Sequence, residues 1–294
     1  MIKKILYITD LHIKIKNLKE IDVLIQTIKT YKNVSLVVIG GDVLNKKDIN
    51  ETCFYKAREL IRVCSKVAMT YVLVGNHDYI DNNQFLTNNH WMNHIKNWSN
   101  VVIVDTVITV MYGFQITFVP YVPTGRLVEA LDSFNKEAKT SWKESRLVFA
   151  HQEIKGCILG KSISDKGDNW NPSYPTLISG HIHDQQLVNR NVVYPGSTIN
   201  QGPQNNQQKV LFIDTFFTNG VFNYNMKWSY FKTNIKEEVF TKTFDDLYDI
   251  YKRKNLTNTI LIIKESDTSK ISKIKNSQIY KRLNKRVYFI EFRY

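Results

Sequence analysis

Short apolar runs alternate with longer amphipathic stretches in the first part of the chain, and this pattern predicts strands joined by helices. Residues 4–9, 36–39 and 69–74 are short and apolar, as buried strands are. Between them, residues 18–31 and 51–66 carry apolar side chains at helical spacing. The order strand, helix, strand, helix, strand predicts an α/β fold, in which the strand ends meet at one edge of a sheet.

Residues with metal-binding side chains follow five of the predicted strands directly. Carboxylate, amide and imidazole groups without thiolates suit manganese, iron or zinc. A carboxylate at the end of a buried strand, such as Asp42, costs free energy unless a cation or a donor pairs with it. Alternation along extended backbone would place both members of each D-x-H or H-x-H pair on one side. The strand-end residues are, in chain order, Asp10, His12, Asp42, Asn76, His77, His151, His181 and His183.

Together these motifs resemble those of the calcineurin-like metallophosphoesterases over roughly residues 3–200. The resemblance implies a four-layer αββα sandwich, in which two mixed sheets pack together with helices outside. It also implies two divalent metal ions that share Asp42, with Mn²⁺ first and Mg²⁺, Fe²⁺ or Zn²⁺ as alternatives. One ion would be held by Asp10, His12, Asp42 and His183, and the other by Asp42, Asn76, His151 and His181. The matching motifs are Asp10-Leu11-His12, Gly41-Asp42, Gly75-Asn76-His77-Asp78, His151 and Gly180-His181-Ile182-His183.

A narrower resemblance is to the SbcD-type nucleases of double-strand-break repair, including their phage and large-virus relatives. It rests on the segment Tyr194-Pro195-Gly196-Ser197 and on the loop after His151. This resemblance implies an exo- or endonuclease that hydrolyses DNA phosphodiesters, with a water between two cations as the nucleophile. It gives His77 the role of acid for the leaving alkoxide, and we assign Asp78 to the orientation of a ligand.

The charge and composition of the chain favour a nucleic-acid substrate and a separate C-terminal region. The net charge is +13, and a polyanion is the partner that such an excess favours first. A compositional bias toward Lys, Asn and Ile, as an AT-rich genome produces, is the alternative origin of this charge. All prolines lie at or before Pro203 and all glycines at or before Gly220. We therefore expect a nuclease domain over residues 1–231 and a small α+β capping domain over residues 232–294 that helps to hold DNA.

Candidate substrate contacts lie outside the strand-end motifs. Trp170, in a long polar loop at residues 152–175, could stack on a base, and Arg282, Lys285 and Arg286 could contact phosphates as a group. Residues 85–98 predict a helix with His90 and His94 on its surface. The SbcD-type resemblance also implies a homodimer and an SbcC-type ABC ATPase partner, although the chain ends where such nucleases carry an ATPase-binding segment.

Two other functions are compatible with the same motifs. One is a phosphatase or cyclic-nucleotide phosphodiesterase, and the other is a non-catalytic binding scaffold that uses the same fold. Three scattered cysteines argue against a disulfide framework, and no apolar run is long enough to span a membrane. We expect free thiols and a cytoplasmic location, in the host cytoplasm if the protein is viral.

Overall fold

The chain folds into two compact units, one ending at Phe231 and the other lying beyond it. Among the described residues, no helix is both long enough and apolar enough to cross a membrane. Cys53, Cys64 and Cys157 are all buried, and none of these three described residues forms a disulfide bond. The computed structural model describes residues 2–45, 50–81, 83–135, 140–201, 208–231, 237–241, 244–253, 256, 259–287 and 289–293.

Strands and helices alternate along most of the chain. The strands are, in chain order, β1 (Lys4–Ile8), β2 (Leu36–Ile39), β3 (Thr70–Leu73), β4 (Val101–Val104), β5 (Ile108–Met111), β6 (Gln115–Phe118), β7 (Leu147–His151), β8 (Ile158–Leu159), β9 (Ser162–Ile163), β10 (Thr176–Gly180), β11 (Gln186–Val188), β12 (Val192–Tyr194), β13 (Gln208–Thr218), β14 (Val221–Phe231), β15 (Glu237–Thr241), β16 (Thr259–Lys264) and β17 (Phe289–Arg293). The α-helices are α1 (Leu18–Thr30), α2 (Glu51–Val67), α3 (Leu127–Asn135), α4 (Phe244–Lys252), α5 (Thr268–Asn276) and α6 (Gln278–Arg286), and short 3₁₀ helices span Ile15–Asn17, Trp91–Ile95 and Trp142–Glu144.

The first unit contains two six-stranded sheets that pack face to face. The strand order is β14-β13-β1-β2-β3-β4 in one sheet and β11-β12-β10-β7-β6-β5 in the other. Both sheets are mixed, because β13 runs antiparallel to β1 and β5 runs antiparallel to β6. Side chains alternate along β1, so that Ile5 and Tyr7 join the core between the sheets, whereas Leu6 and Ile8 face the other way.

Helices cover the outer faces of both sheets. The apolar faces of α1 and α2 share a core with Leu6 and Ile8, and α2 begins where the side chain of Asn50 accepts a hydrogen bond from the N–H of Cys53. On the other sheet, Leu131 of α3 belongs to the same buried core as Val148 of β7. The four-layer sandwich expected from the sequence is therefore confirmed.

Two predicted helices are shorter than the sequence suggests because polar side chains interrupt them. The helix expected over residues 85–98 is reduced to the 3₁₀ helix at Trp91–Ile95, since the imidazole of His90 accepts a hydrogen bond from the N–H of Met92. His90 is buried beside Asp105, and the expectation of an exposed His90 is therefore wrong. The sequence also predicts a single helix over residues 269–283, but this helix is divided at Ser277, which ends α5 and caps α6.

The second unit has its own core and its own three-stranded sheet. The strands β15, β16 and β17 are parallel, in that order. Leu261 of β16 packs with Leu247 of α4 and Leu283 of α6. A parallel sheet with intervening helices is an α/β arrangement rather than the α+β arrangement expected for this region.

Candidate metal centre

Four of the predicted ligands have a left-handed backbone conformation, with positive φ angles. The φ angles are 52° for Asp10, 42° for His12, 51° for Asp42 and 79° for His181. Each such non-glycine residue costs about 1–3 kcal/mol, and strain of this kind concentrates at functional sites. The sequence-based expectation of alternation along extended backbone is therefore wrong, because these side chains converge through tight turns after the strands.

Asp42 directs its two carboxylate oxygens to different partners. Oδ1 accepts a hydrogen bond from the backbone N–H of His77 at 2.9 Å. Oδ2 lies 3.6 Å from Nε2 of His12 and 3.3 Å from Nε2 of His151. The backbone contact thus fixes the carboxylate, and the second oxygen faces imidazoles from both predicted ligand groups.

The first predicted ligand group comes together around His12. Its Nε2 lies 3.1 Å from Nε2 of His183 and 3.9 Å from Oδ1 of Asp10. The carboxylate of Asp10 is held by the hydroxyl of Thr9 at 2.8 Å and by the backbone N–H of His181 at 3.1 Å. The structure therefore brings all four members of this group together, including Asp42.

The second predicted group comes together around Asn76. Its Oδ1 lies 3.2 Å from Nε2 of His151 and 3.0 Å from Nδ1 of His181. The other ring nitrogen of His151, Nδ1, donates to the carbonyl oxygen of Gly40 at 2.7 Å, which directs Nε2 at Asn76 and Asp42. The orientation of this imidazole is thus set from behind by the backbone.

Burial and neighbouring charges shift the pKa values of the ligands in opposite directions. Burial lowers the pKa of His12 to about 3 and the pKa of His181 to about 3. Burial acts to raise the pKa of Asp42, but attraction to His151 outweighs it and holds that pKa below its usual range. Burial acts to lower the pKa of His151, but attraction to Asp42 outweighs it and raises that pKa to about 9.

The donor set of this centre fits divalent cations. Asp10, His12 and His183 form one group of side-chain atoms within 4.8 Å of one another, and Asp42, His151 and His181 form another. Oxygen and imidazole lone pairs that converge in a buried place repel one another unless positive charge lies between them. The residues present can therefore hold two metal ions, and their donor types do not select one metal.

His77 stands at the solvent side of this centre. Its Nε2 lies 4.0 Å from Oδ2 of Asp42, and its side chain is 35% exposed. Its ring meets the ring of His12 edge to face, with the centroids 4.8 Å apart. His12, Asp42 and His77 also form a third group whose atoms lie within 4.8 Å of one another. The geometry is thus compatible with a contact from His77 to a ligand or to a metal ion.

The carboxylate of Asp78 lies buried between two loops of the candidate centre. Its carboxylate accepts hydrogen bonds from the backbone N–H groups of Gly75 at 3.0 Å and Val43 at 3.2 Å, and from the indole of Trp91 at 2.9 Å. Burial raises the pKa of Asp78 to about 7, with a further contribution from the negative charge of Asp42. It therefore joins the loop of Asp42 to the loop of Asn76.

Close packing explains why a glycine precedes Asn76. A Cβ atom on Gly75 would lie 2.3 Å from the backbone nitrogen of Asp42 and 2.3 Å from its Oδ1. Neither atom can move without displacing the carboxylate. The glycine of this motif is therefore required by the approach of two metal-binding loops.

Among the predicted substrate contacts, Trp170 and Arg286 are occupied by contacts within the protein. Trp170 is 2% exposed and stacks obliquely on Trp142 in the core, so its ring presents no free face to a base. Arg286 donates to the carbonyl oxygens of Tyr251 and Arg253 and so ties the end of α6 to the end of α4. Arg282 and Lys285 are exposed on α6.

The sequence reasoning missed two residues beside the centre. The ring of Tyr121 lies with its centroid 5.9 Å from that of His181 and 6.5 Å from that of His151. Thr9 donates its hydroxyl to Asp10. Tyr121 follows β6 closely, so the rule that polar residues at strand ends meet at one edge could have identified it.

The chain belongs to the calcineurin-like phosphoesterase family, whose model matches residues 3–185. It is 44% identical over 200 residues to "Putative phosphoesterase 244L" of Invertebrate iridescent virus 6, a match that covers 67% of this chain and 70% of that protein. It is 42% identical over 200 residues to "Putative phosphoesterase 078R" of Invertebrate iridescent virus 3, with 66% of this chain and 57% of that protein covered. The match thus spans little more than half of the second relative.

Two solved structures are similar at low sequence identity. Vacuolar Protein Sorting 29 from Cryptosporidium parvum matches with a TM-score of 0.33 and 12% identity, over 78% of this chain and 98% of that chain. GAP50, the anchor in the inner membrane complex of Plasmodium, matches with a TM-score of 0.42 and 13% identity, over 80% of this chain and 89% of that chain.

Proposed function

We propose that the protein is a two-metal phosphodiesterase that acts on DNA, as an exo- or endonuclease of the SbcD type. The observation that carries this proposal is the placement of Asp42, whose Oδ2 lies within 3.6 Å of His12 and 3.3 Å of His151. A carboxylate oxygen between two imidazole groups is the arrangement that two neighbouring cations need as a shared ligand. The proposed set for one ion is Asp10, His12, Asp42 and His183, and for the other Asp42, Asn76, His151 and His181.

The proposed chemistry needs both the metals and a proton donor. When bound, the metals would neutralise the phosphate charge and make a water molecule more acidic. His77 is partly exposed at the open side of the centre and can protonate the leaving alkoxide through Nε2. Asp78 keeps the two ligand loops in place and touches no substrate in this scheme.

Charge supports DNA as the substrate over a small phosphate ester. The net charge of +13 favours attraction to a polyanion, and basic residues are frequent in both units. The exposed Arg282 and Lys285 of α6 remain proposed phosphate contacts. The viral relatives are named as phosphoesterases and do not specify a substrate, so they support the ester chemistry alone.

One panel of assays tests this function. The protein is incubated with Mn²⁺, Mg²⁺ or Zn²⁺ and with single-stranded DNA, duplex DNA, a cyclic nucleotide or p-nitrophenyl phosphate. We expect DNA cleavage that requires a divalent metal and that is lost in Asp42→Asn. The matched control is Asp81→Asn, which changes an exposed aspartate close in sequence to the third motif and should keep full activity.

The alternatives give different results in the same panel. Turnover of the monoester or the cyclic nucleotide without DNA cleavage in any metal would contradict the nuclease and favour a phosphatase or a cyclic-nucleotide phosphodiesterase. Failure to bind metal at all, measured by calorimetry, would favour the binding scaffold.

A further inference from the structure

The segment that follows His151 is an ordered hairpin that leaves apolar side chains in solvent. Its strands β8 and β9 are antiparallel, and Ile158 lies directly opposite Ile163. Ile158 is 50% exposed and Ile163 is 71% exposed. Residues directly opposite each other in an antiparallel pair point to the same face. The hairpin therefore presents an aliphatic face to solvent, where a long polar loop was expected.

Buried hydrogen bonds hold the base of this hairpin. The carboxylate of Asp168 accepts from the side-chain amide of Gln152 at 2.8 Å. The hydroxyl of Tyr194 donates to the carbonyl oxygen of Gln152 at 2.9 Å and accepts from the N–H of Ile154 at 2.8 Å. Because Gln152 is the residue after His151, this network ties the hairpin to a segment that carries a proposed metal ligand.

A second attachment joins the hairpin to the segment after His183. The backbone N–H of Ile158 donates to the side-chain oxygen of Gln186 at 2.7 Å, and the amide of Gln186 donates to the carbonyl oxygen of Ile158 at 3.0 Å. The exposed face is thus fixed to two of the loops that build the metal centre. Such anchoring places the aliphatic residues at a defined position relative to the proposed ligands.

The charge of the hairpin indicates what would cover this face. Lys155, Lys161 and Lys166 are exposed along it, and together with the exposed Asp165 they give residues 155–167 a net charge of +2. Glu153, at the base of the hairpin, is hydrogen-bonded to Ser164. Positively charged side chains attract the phosphates of a nucleic acid. Aliphatic side chains pack against bases where base stacking is interrupted. DNA offers both surfaces at once, because each phosphate lies next to a base.

We propose that this hairpin, residues 155–167, is a DNA-contacting element that delivers DNA ends or single strands to the metal centre. Its lysines contact the backbone, and Ile158 and Ile163 pack against base faces that a continuous duplex does not expose. This inference rests on the proposed function, because it names the part of the chain that holds the substrate of that same site.

The test compares two double variants of the full chain. Ile158→Ser/Ile163→Ser removes the aliphatic face, and both positions are exposed. The matched control, Met111→Ser/Val221→Ser, removes two residues that are 65% and 64% exposed on β5 and β14. Each protein is loaded with Mn²⁺ and assayed on labelled single-stranded DNA, a blunt duplex and bis(p-nitrophenyl) phosphate, with DNA binding followed by fluorescence anisotropy.

We expect the hairpin variant to bind and cleave DNA about tenfold less well, mainly through KM, as loss of base contacts predicts. Hydrolysis of the small diester should be unchanged, and the control variant should match the wild type on every substrate. If the hairpin variant cleaves DNA as well as the wild type, or loses equal activity on the small diester, the proposed role of the hairpin would be overturned. The proposed nuclease function would not be affected by that result. If the wild type and the control variant self-associate, and the hairpin variant does not but still cleaves DNA, the aliphatic face would bind a second copy of the chain instead. A wild-type protein that hydrolyses the small diester but neither cleaves nor binds DNA would overturn both proposals.

Discussion

Nε2 of His151 lies 3.3 Å from Oδ2 of Asp42, while Nδ1 of the same imidazole donates to a backbone carbonyl 2.7 Å away. The orientation of His151 is therefore set by the backbone, and its Nε2 is directed at the carboxylate. On the other side, His12 approaches the same oxygen at 3.6 Å. These contacts make Asp42 the residue on which both proposed metal sites depend.

Replacement of Asp42 should cost more activity than replacement of a ligand that serves one site. Asp42→Asn removes the negative charge between the two histidines, so both ions should bind less tightly. His12→Ala and His151→Ala should each weaken one ion. We expect the loss of kcat/KM on DNA to exceed the loss in either histidine variant by at least about tenfold. Equal losses in all three variants, measured at the same Mn²⁺ concentration below saturation, would contradict a shared ligand.

His77→Ala should retain metal and lose turnover. A general acid contributes about 10²–10⁴-fold to rate, and His77 is a partly exposed imidazole beside Asp42. Metal content by mass spectrometry should equal that of the wild type. His94→Ala, which changes an exposed histidine in the same part of the chain, is the control and should be fully active. A parallel loss of metal and activity would make His77 a metal ligand instead.

Asp78→Ala should destabilise the fold and weaken metal binding together. The change leaves the backbone N–H groups of Gly75 and Val43 without their acceptor in a buried place, which should cost about 3 kcal/mol. Trp91→Phe removes one donor to the same carboxylate and should cost about 1 kcal/mol. Urea unfolding measures both. If excess Mn²⁺ fails to restore turnover in the folded Asp78→Ala protein, then Asp78 has a role beyond positioning.

Glu20 should make the stability of the protein depend on pH. Glu20 is 2% exposed, and its Oε2 has no hydrogen-bond partner among the residues that the structure describes. Burial raises its pKa to about 7, so the folded state favours the protonated carboxyl. The stability that this proton provides is fully present below about pH 4.5 and is lost as the pH rises through about 7.

Thermal unfolding at two pH values measures this effect. Near pH 4.5, Glu20→Gln should have the same free energy of unfolding as the wild type. At pH 8 its free energy of unfolding should be greater by about 3 kcal/mol, because the amide never ionises. The exposed Glu144→Gln is the control and should follow the wild type at both pH values. A constant difference between Glu20→Gln and the wild type across this range would show that the carboxyl does not titrate as proposed.

The sequence predicts the sheet architecture because each apolar strand ends in a polar motif at the same edge. It does not predict how those motifs turn. Asp10 and Asp42 adopt positive φ angles of 52° and 51°, and no local propensity of aspartate requires this conformation. Contacts made far along the chain, such as Asp10 to the N–H of His181, hold these turns in place.

Long-range contacts also made two other regions hard to predict. These are the region between Gly75-Asn76-His77-Asp78 and His151, and the loop beyond His151. A helix over residues 85–98 satisfies helical periodicity, but His90 instead pairs with Asp105, a partner outside any local window. The polar composition of residues 152–175 indicates a loop, yet Asp168 and Trp170 are buried there. Charged and aromatic residues in polar sequence can serve packing, and only the tertiary contacts reveal which role they take.

A metal centre built around Asp42 is tested most directly by the electron paramagnetic resonance spectrum of the protein loaded with Mn²⁺. Two Mn²⁺ ions that share the carboxylate of Asp42 should show exchange coupling, and Asp42→Ala should abolish that signal in folded protein. Metal analysis of the same sample should give two ions per chain. A six-line spectrum of isolated Mn²⁺ at full loading, the same in the wild type and in Asp42→Ala, would contradict a centre built around Asp42.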